Sequence, residues 1–260
     1  MSRFALAVIA VTSCARIAGI PEYESSDAGT DASVRQDSPY VTAVLADSPL
    51  GYFRLDETIG DDAIDLMDGS SGTYVGNISF AQPGAFPDSG TSVGFDGSDA
   101  AVSLANRFDF MAMDAFSLEA WIRPTSFDGD FHEIGSRWHQ PPNRAGYTWF
   151  QDDDGVGFER DISDTNSDLA AANGVFVVDQ WAYVVATYDG ATLVVYVDAV
   201  QKATKPSPIS TPEVNLATMI GAANGSPHDT PFEGDIDEYA VYGHALAADR
   251  VTAHYAAANN

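Results

Sequence analysis

From Tyr40 onward, runs of five to eight residues rich in Val, Ile, Tyr, Phe and Trp alternate with clusters of Gly, Asp, Asn, Ser and Pro. That spacing predicts many short antiparallel strands, because β-branched and aromatic side chains suit a pleated surface and the clusters supply turns. In Phe116 to Arg123, Phe116, Leu118, Ala120 and Ile122 fall on one face at period two, while Ser117, Glu119, Trp121 and Arg123 fall on the other. This pattern predicts a half-buried strand. Trp181 to Tyr188, then Asp189-Gly190, then Thr192 to Asp198 predicts a hairpin, since Asp-Gly takes the positive φ values that tight turns require. Helical patterning is limited to Tyr40–Ala46 and Ala247–His254, both too short to organise a fold. The pattern is absent from Ala15 to about Pro39, a Ser, Asp, Ala, Gly and Thr-rich stretch that cannot offset its ordering entropy by burial and is expected to be a flexible tether.

Ahead of the tether, Met-Ser-Arg followed by the apolar run Phe4 to Val11 predicts a signal peptide, because the run is too short to span a bilayer. Val11-Thr12-Ser13-Cys14 resembles the bacterial lipobox, which implies cleavage before Cys14 and its lipidation; a generic signal peptide with an incidental cysteine is the alternative. Cys14 is the sole cysteine, so no internal disulfide exists. The expected organisation is a signal peptide over 1–13, a lipidated cysteine and tether over 14–39, and one domain over 40–260. The chain is then exported and held at the outer membrane, at the cell surface or in the periplasm, meeting the membrane through its lipid alone. Ala15 lacks the aspartate that retains many lipoproteins at the inner membrane, and by that resemblance favours the outer one.

The 260 residues are 45% apolar and carry a formal net charge of −26, from 38 acidic against 12 basic side chains. Five acidic and three basic residues precede Pro39, so the acidity belongs to the domain. Such a surface repels phosphate backbones and sets nucleic acid aside as a partner, while serving solubility or cation recruitment equally well.

Five blocks then carry a family resemblance. Val44 to Pro49 leading into Tyr52-Phe53-Arg54-Leu55-Asp56-Glu57 resembles the opening of bacterial laminin-G-like, concanavalin A-like lectin/glucanase domains. Phe95-Asp96-Gly97-Ser98-Asp99 with Val102, Phe116 to Ile122, the stretch from Trp181 to Asp198, and Phe232 to Glu238 with Tyr242, Ala245-Leu246 and His254-Tyr255 resemble later blocks in the expected order. Phe53 stands where the family usually has Trp, and Ala199 where the hairpin usually has Gly, which puts that turn's geometry in question. The resemblance implies an all-β fold, a two-sheet antiparallel jelly-roll β-sandwich with first and last strands as neighbours. It also implies service as a binding module and, commonly, a bound calcium.

Candidate chemistry follows from particular residues. Asp96 and Asp99, with Asp56 and Asp237 near the ends of the first and last strands, are the expected calcium ligands, since that ion takes hard oxygens from loops; turn-capping aspartates are the alternative. Asp152-Asp153-Asp154-Gly155 reads as a solvated hairpin tip. Trp138, His139, Arg144 and Tyr147 gather groups suited to sugar faces and hydroxyls around a Pro-Pro loop; alternatively Tyr147 and Trp149 alternate into the core and only Trp138 is wet. Glu233, Asp235 and Glu238 reproduce the Glu-x-Asp-x-x-Glu spacing of concanavalin-like β-glucanases, so a glycan hydrolase using Glu233 and Glu238 is the alternative to a non-catalytic module that binds carbohydrate or an envelope protein. His132, His139, His228, His244 and His254 lack zinc-site spacing and read as surface or rim residues.

Overall fold

The computed structural model describes residues 38–224 and 230–259. The expected signal peptide, Cys14, nearly all of the tether and His228 lie outside the described residues.

The first half of the chain forms α1 (Pro39–Ala46), β1 (Gly51–Phe53), β2 (Asp62–Ile64), β3 (Ser71–Val75), β4 (Ser79–Pro83), β5 (Thr91–Asp96), β6 (Ala101–Ser103), β7 (Phe116–Pro124) and β8 (Phe131–His139). The second half forms β9 (Ala145–Asp152), β10 (Gly155–Ser163), β11 (Asn166–Ala172), β12 (Ala182–Tyr188), β13 (Thr192–Val197), β14 (Val200–Pro206), β15 (Met219–Ile220), β16 (Glu233–Tyr242) and α2 (Ala248–Ala258). Two antiparallel sheets result. Sheet A runs β14-β13-β12-β7-β16-β5-β4, with β1 also on β16, and sheet B runs β11-β10-β9-β8-β15-β6-β3-β2. The inner faces meet in one apolar core that includes Phe116, Leu118 and Ile122 from β7, Val184 and Tyr188 from β12, and Trp149 and Phe158 from sheet B. The jelly-roll expectation holds, and first and last strands are neighbours, with Gly51 opposite Val241.

A bulge lets β16 serve two partners along one edge, β5 at its start (Ile236 opposite Val93) and β1 at its end. The register against β7 shifts between Asp237 and Ala240, and Glu238 is the extra residue at φ +54. Inserting one residue keeps both Ile236 and Tyr239 in the core.

The half-buried expectation for β7 fails in an informative way. Ser117 and Glu119 are wholly buried and Trp121 nearly so, because α1 and α2 lie over the outer face of sheet A. Glu119 is the centre of this seal. It accepts hydrogen bonds from the hydroxyls of Tyr40 on α1 (2.8 Å), Tyr183 on β12 (2.8 Å) and Tyr242 on β16 (2.7 Å). His254 on α2 presents Nδ1 to Glu119 at 3.0 Å and Nε2 to Asp47 at 2.8 Å, and Arg250 also binds Asp47. A ring held between two carboxylates donates from both nitrogens only as imidazolium. Burial opposes the charge on His254, but Glu119 and Asp47 outweigh it and raise its pKa above the ordinary value. Burial likewise opposes ionisation of Glu119, yet His254 and the tyrosine hydroxyls hold its pKa below the ordinary value. His254 is therefore not the rim residue expected from sequence, and His132 is also buried, bonded to Asp128 and the Pro231 carbonyl.

The predicted hairpin forms, with Tyr188 opposite Leu193, Gly190 at φ +94, and Asp189 Oδ1 accepting from the amides of Ala191 and Thr192. At the next turn Asp198 (φ +50) and Ala199 (φ +61) both adopt left-handed backbone between the paired Val197 and Val200. The turn keeps the two-residue geometry that suits sheet twist, with a Cβ in a conformation that glycine tolerates better.

Two outcomes follow. Ala199→Gly is expected to stabilise the fold by about 1 kcal/mol, the scale of a left-handed L-residue penalty, and to raise Tm by about 2–4 °C in a domain of this size; an unchanged or lower Tm in a circular-dichroism melt refutes it. Stabilisation by the lowered Glu119 is complete above its ordinary value of 4.5 and fades as pH falls through its lower folded value. Stabilisation by the raised His254 is complete below 6.5 and fades as pH rises through its higher folded value. The Tm gap between wild type and His254→Gln should thus be widest between about pH 4.5 and 6.5 and narrow on both sides. A gap independent of pH contradicts the network.

Candidate functional site on the outer face of sheet B

Helices cover the middle of the outer face of sheet A, and an open concavity lies on the outer face of sheet B. The meander β8 to β11 builds it. Strand parity sends Tyr147, Trp149, Val156, Phe158 and Ala170 into the core, so Thr148, Phe150, Gly157, Glu159, Leu169 and Ala171 fall on the outer side. Gly157 lies opposite Phe150, and a Cβ there would stand 2.4 Å from the Phe150 ring. The missing side chain lets that ring lie over the β10 backbone and form a floor.

The cavity measures about 410 Å³, within the size range of small-molecule sites. Phe131, half exposed at the lip, packs edge-on against Phe150 with centroids 5.0 Å apart. Leu169 and Pro141 continue the apolar wall, while Glu133, Arg144, Thr148 and Glu159 supply polar groups. Arg144 binds Glu159 at 2.9 Å, lies 3.4 Å from Asp161, and sits over the Trp138 ring at 5.3 Å. Trp138 Nε1 donates to Asp161 at 2.8 Å. Burial pushes the Asp161 carboxyl up to about 7, with Glu159 adding to the shift. Burial pushes Glu133 further, to about 8, although the Thr148 hydroxyl donates to it.

Of the four predicted ligand-binding residues, the structure brings Trp138 and Arg144 into this cavity. Tyr147 is corrected: it is a core residue, its ring 4.9 Å from Phe116 and its hydroxyl donating to the Phe108 carbonyl. It sits opposite Arg137 on an inward position, one step out of phase with Trp138. His139 is exposed at the end of β8 and does not line the cavity. Glu133, Glu159, Phe131 and Phe150 were missed. Their signal is parity: once Trp149 and Phe158 are placed inside, Phe150 and Glu159 must face out.

The expected calcium ligands do not converge. Asp96 Oδ1 accepts from the amides of Ser98, Asp99 and Ala100, as a turn-capping aspartate does. Asp99 accepts from the Asn77 amide, Asp56 lies 3.5 Å from Arg54, and Asp237 is wholly buried and bonded to the Ala85 amide. Among the described residues no three His, Cys, Asp or Glu side chains gather where an ion could sit, so the four carboxylates do not form one ligand set. Asp152 to Gly155 forms the tip of the β9–β10 hairpin.

The Glu233 and Glu238 pair is also corrected. Glu238 is wholly buried, held by Tyr52 and by Arg54 at 3.0 Å. Glu233 accepts from Ser126 and Asp235 from Arg123. A polymer could not reach Glu238, so the two carboxylates do not flank a scissile bond.

A two-sheet sandwich with a small-molecule-sized cavity on one outer face defines a concanavalin-like architecture. The chain belongs to the concanavalin A-like lectin/glucanases superfamily, whose laminin-G-type family matches residues 96–252. No curated protein matches the sequence. Among solved structures it is similar to the binding domain of botulinum neurotoxin serotype D, at 13% identity and a TM-score of 0.61, covering 82% of this chain and 52% of that one. It is similar to the binding domain of Paraclostridial Mosquitocidal Protein 1, at 11% identity and TM-score 0.59, covering 81% and 52%. Domain 4 of AbnA, a GH43 extracellular arabinanase from Geobacillus stearothermophilus, in complex with arabinotriose, is similar at 18% identity and TM-score 0.56, covering 80% and 98%. The chain spans about half the length of the two toxin domains. At these identities the likeness is one of fold.

Proposed function

We propose that this chain is a surface-tethered, non-catalytic binding module that recognises carbohydrate in the cavity on the outer face of sheet B. The observation that carries the reading is the pairing of apolar walls, from Phe131, Phe150 and Leu169, with the fixed polar groups of Arg144, Glu159 and Glu133 in one concavity of about 410 Å³. Sugars present apolar ring faces together with hydroxyls, and a few placed polar groups against an apolar surface suit both. The arabinotriose complex of the similar AbnA domain supports a carbohydrate ligand, and the similar toxin binding domains support a module that recognises rather than transforms. Export and anchoring at Cys14 would present the cavity outside the cell on a tether.

Phe131 stands at the lip, so Phe131→Ala removes wall area without opening the core. On a glycan array, run with calcium and with chelator, wild type should bind at least one glycan class and Phe131→Ala should bind it about tenfold less, a change of roughly 1.4 kcal/mol. No binding in either condition, or no effect of the variant, removes the reading. The anchor has its own check: an alkyne palmitate analogue fed to a bacterial host should label wild type and not Cys14→Ser, and equal labelling of both defeats it.

A further inference from the structure

Glu133 is the group in the cavity that its surroundings leave unbalanced. The carboxylates beside it share one guanidinium: Arg144 binds Glu159 at 2.9 Å and stands 3.4 Å from Asp161, which also accepts from Trp138. Glu133 has the Thr148 hydroxyl as its side-chain partner, and among the described residues it makes no ion pair, yet it is only 3% exposed while lining the open concavity. The charged groups around it are Asp152 from β9, Glu159 and Asp161 from β10, and Arg144 from the β8–β9 connection; β11 contributes Leu169 and Ala171, which carry no charge.

We propose that the cavity takes a glycan bearing a free, protonated amine, that is, a sugar unit with an unacetylated amino group, and that the ammonium docks against Glu133. The proposal rests on the carbohydrate reading and narrows its ligand class. A buried acid without a cation stays protonated, and its pKa of about 8 agrees with that. An ammonium placed against it turns a neutral hydrogen bond into a charge-assisted pair, the stronger kind. The balance is simple: the neutral carboxyl loses its proton to solvent, the amine arrives already protonated, and the bound state holds carboxylate and ammonium. A hydroxyl in the same place gains only a neutral hydrogen bond. A uronate or sulfate would meet Asp152, Glu159 and Asp161, with Arg144 already shared.

Isothermal titration of the full chain at pH 6.5 tests this with four trisaccharide probes: glucosamine, N-acetylglucosamine, arabinose and galacturonic acid trimers. The glucosamine trimer is expected to bind at least tenfold tighter than its acetylated form, and the galacturonic acid trimer not at all. Repeating the titration in buffers of different ionisation enthalpy should show release of close to one proton per amine-bearing ligand bound. Glu133→Gln, checked for folding by its melt, should lose both the preference and the proton release while retaining residual affinity for the arabinose trimer. Equal affinity for acetylated and free amine, or preference and proton release that survive in Glu133→Gln, overturns the amine assignment and leaves the carbohydrate reading standing. Failure of all four trimers, together with a blank glycan array, overturns both.

Discussion

A carboxylate with no access to water is tolerable only where every lone pair finds a donor and the charge finds a countercharge. Glu119 imposes that condition on this fold. Its donors come from α1, β12, β16 and α2, so the network closes only when both helices are docked on sheet A. Docking brings Tyr255 over Trp121 with centroids 5.9 Å apart and covers Tyr52, Val185 and Ala240 beneath. The middle of that outer face is thereby removed from solvent and from ligand. Among the described residues no helix covers sheet B, whose outer face stays accessible.

Much of the family resemblance maps onto this seal. Tyr52 and Arg54 from the first block, Glu119 and Trp121 from the third, Tyr183 from the hairpin, and Glu238, Tyr242, His254 and Tyr255 from the last all face the same side of sheet A. The recurring blocks encode the attachment of helices to a sheet. They say little about a ligand, which explains why a resemblance specific enough to give the fold left the site open.

What could be read from sequence divides along the same line. Strands, the hairpin and both helices were legible because period-two burial and turn chemistry act locally. The outward half of β7 was not: a Glu at an outward position reads as solvated, and only the distant Tyr40, Tyr242 and His254 make its burial sustainable. Trp138 and Arg144 were legible as chemistry; at Tyr147 the residues left both a sugar contact and a core position open, and its register opposite Arg137 selects the second. Asp96 was legible as a turn-capping aspartate, the alternative that its bonds to Ser98 through Ala100 favour, whereas Asp237 was not legible as a partner of the distant Ala85 amide. Ala199 shows the limit of propensity. The flanking strands hold it at φ +61 despite its Cβ, because the pairing of Val197 with Val200 outweighs the local cost.

Two carboxyl groups now stand in contrast, one on each sheet and both nearly without exposure. Glu119 has three hydroxyls and an imidazolium, and its pKa falls although burial opposes ionisation. Glu133 has the Thr148 hydroxyl and the Trp149 backbone amide but no countercharge among the described residues, and its pKa rises. Equal burial with opposite outcomes means that the partners, not the depth, separate them. A group whose partners are complete has nothing to offer a ligand and serves the fold. A group on the wall of an open cavity whose countercharge is missing gains stabilisation when one arrives from outside, and that difference is the physical ground for proposing recognition on sheet B beside architecture on sheet A.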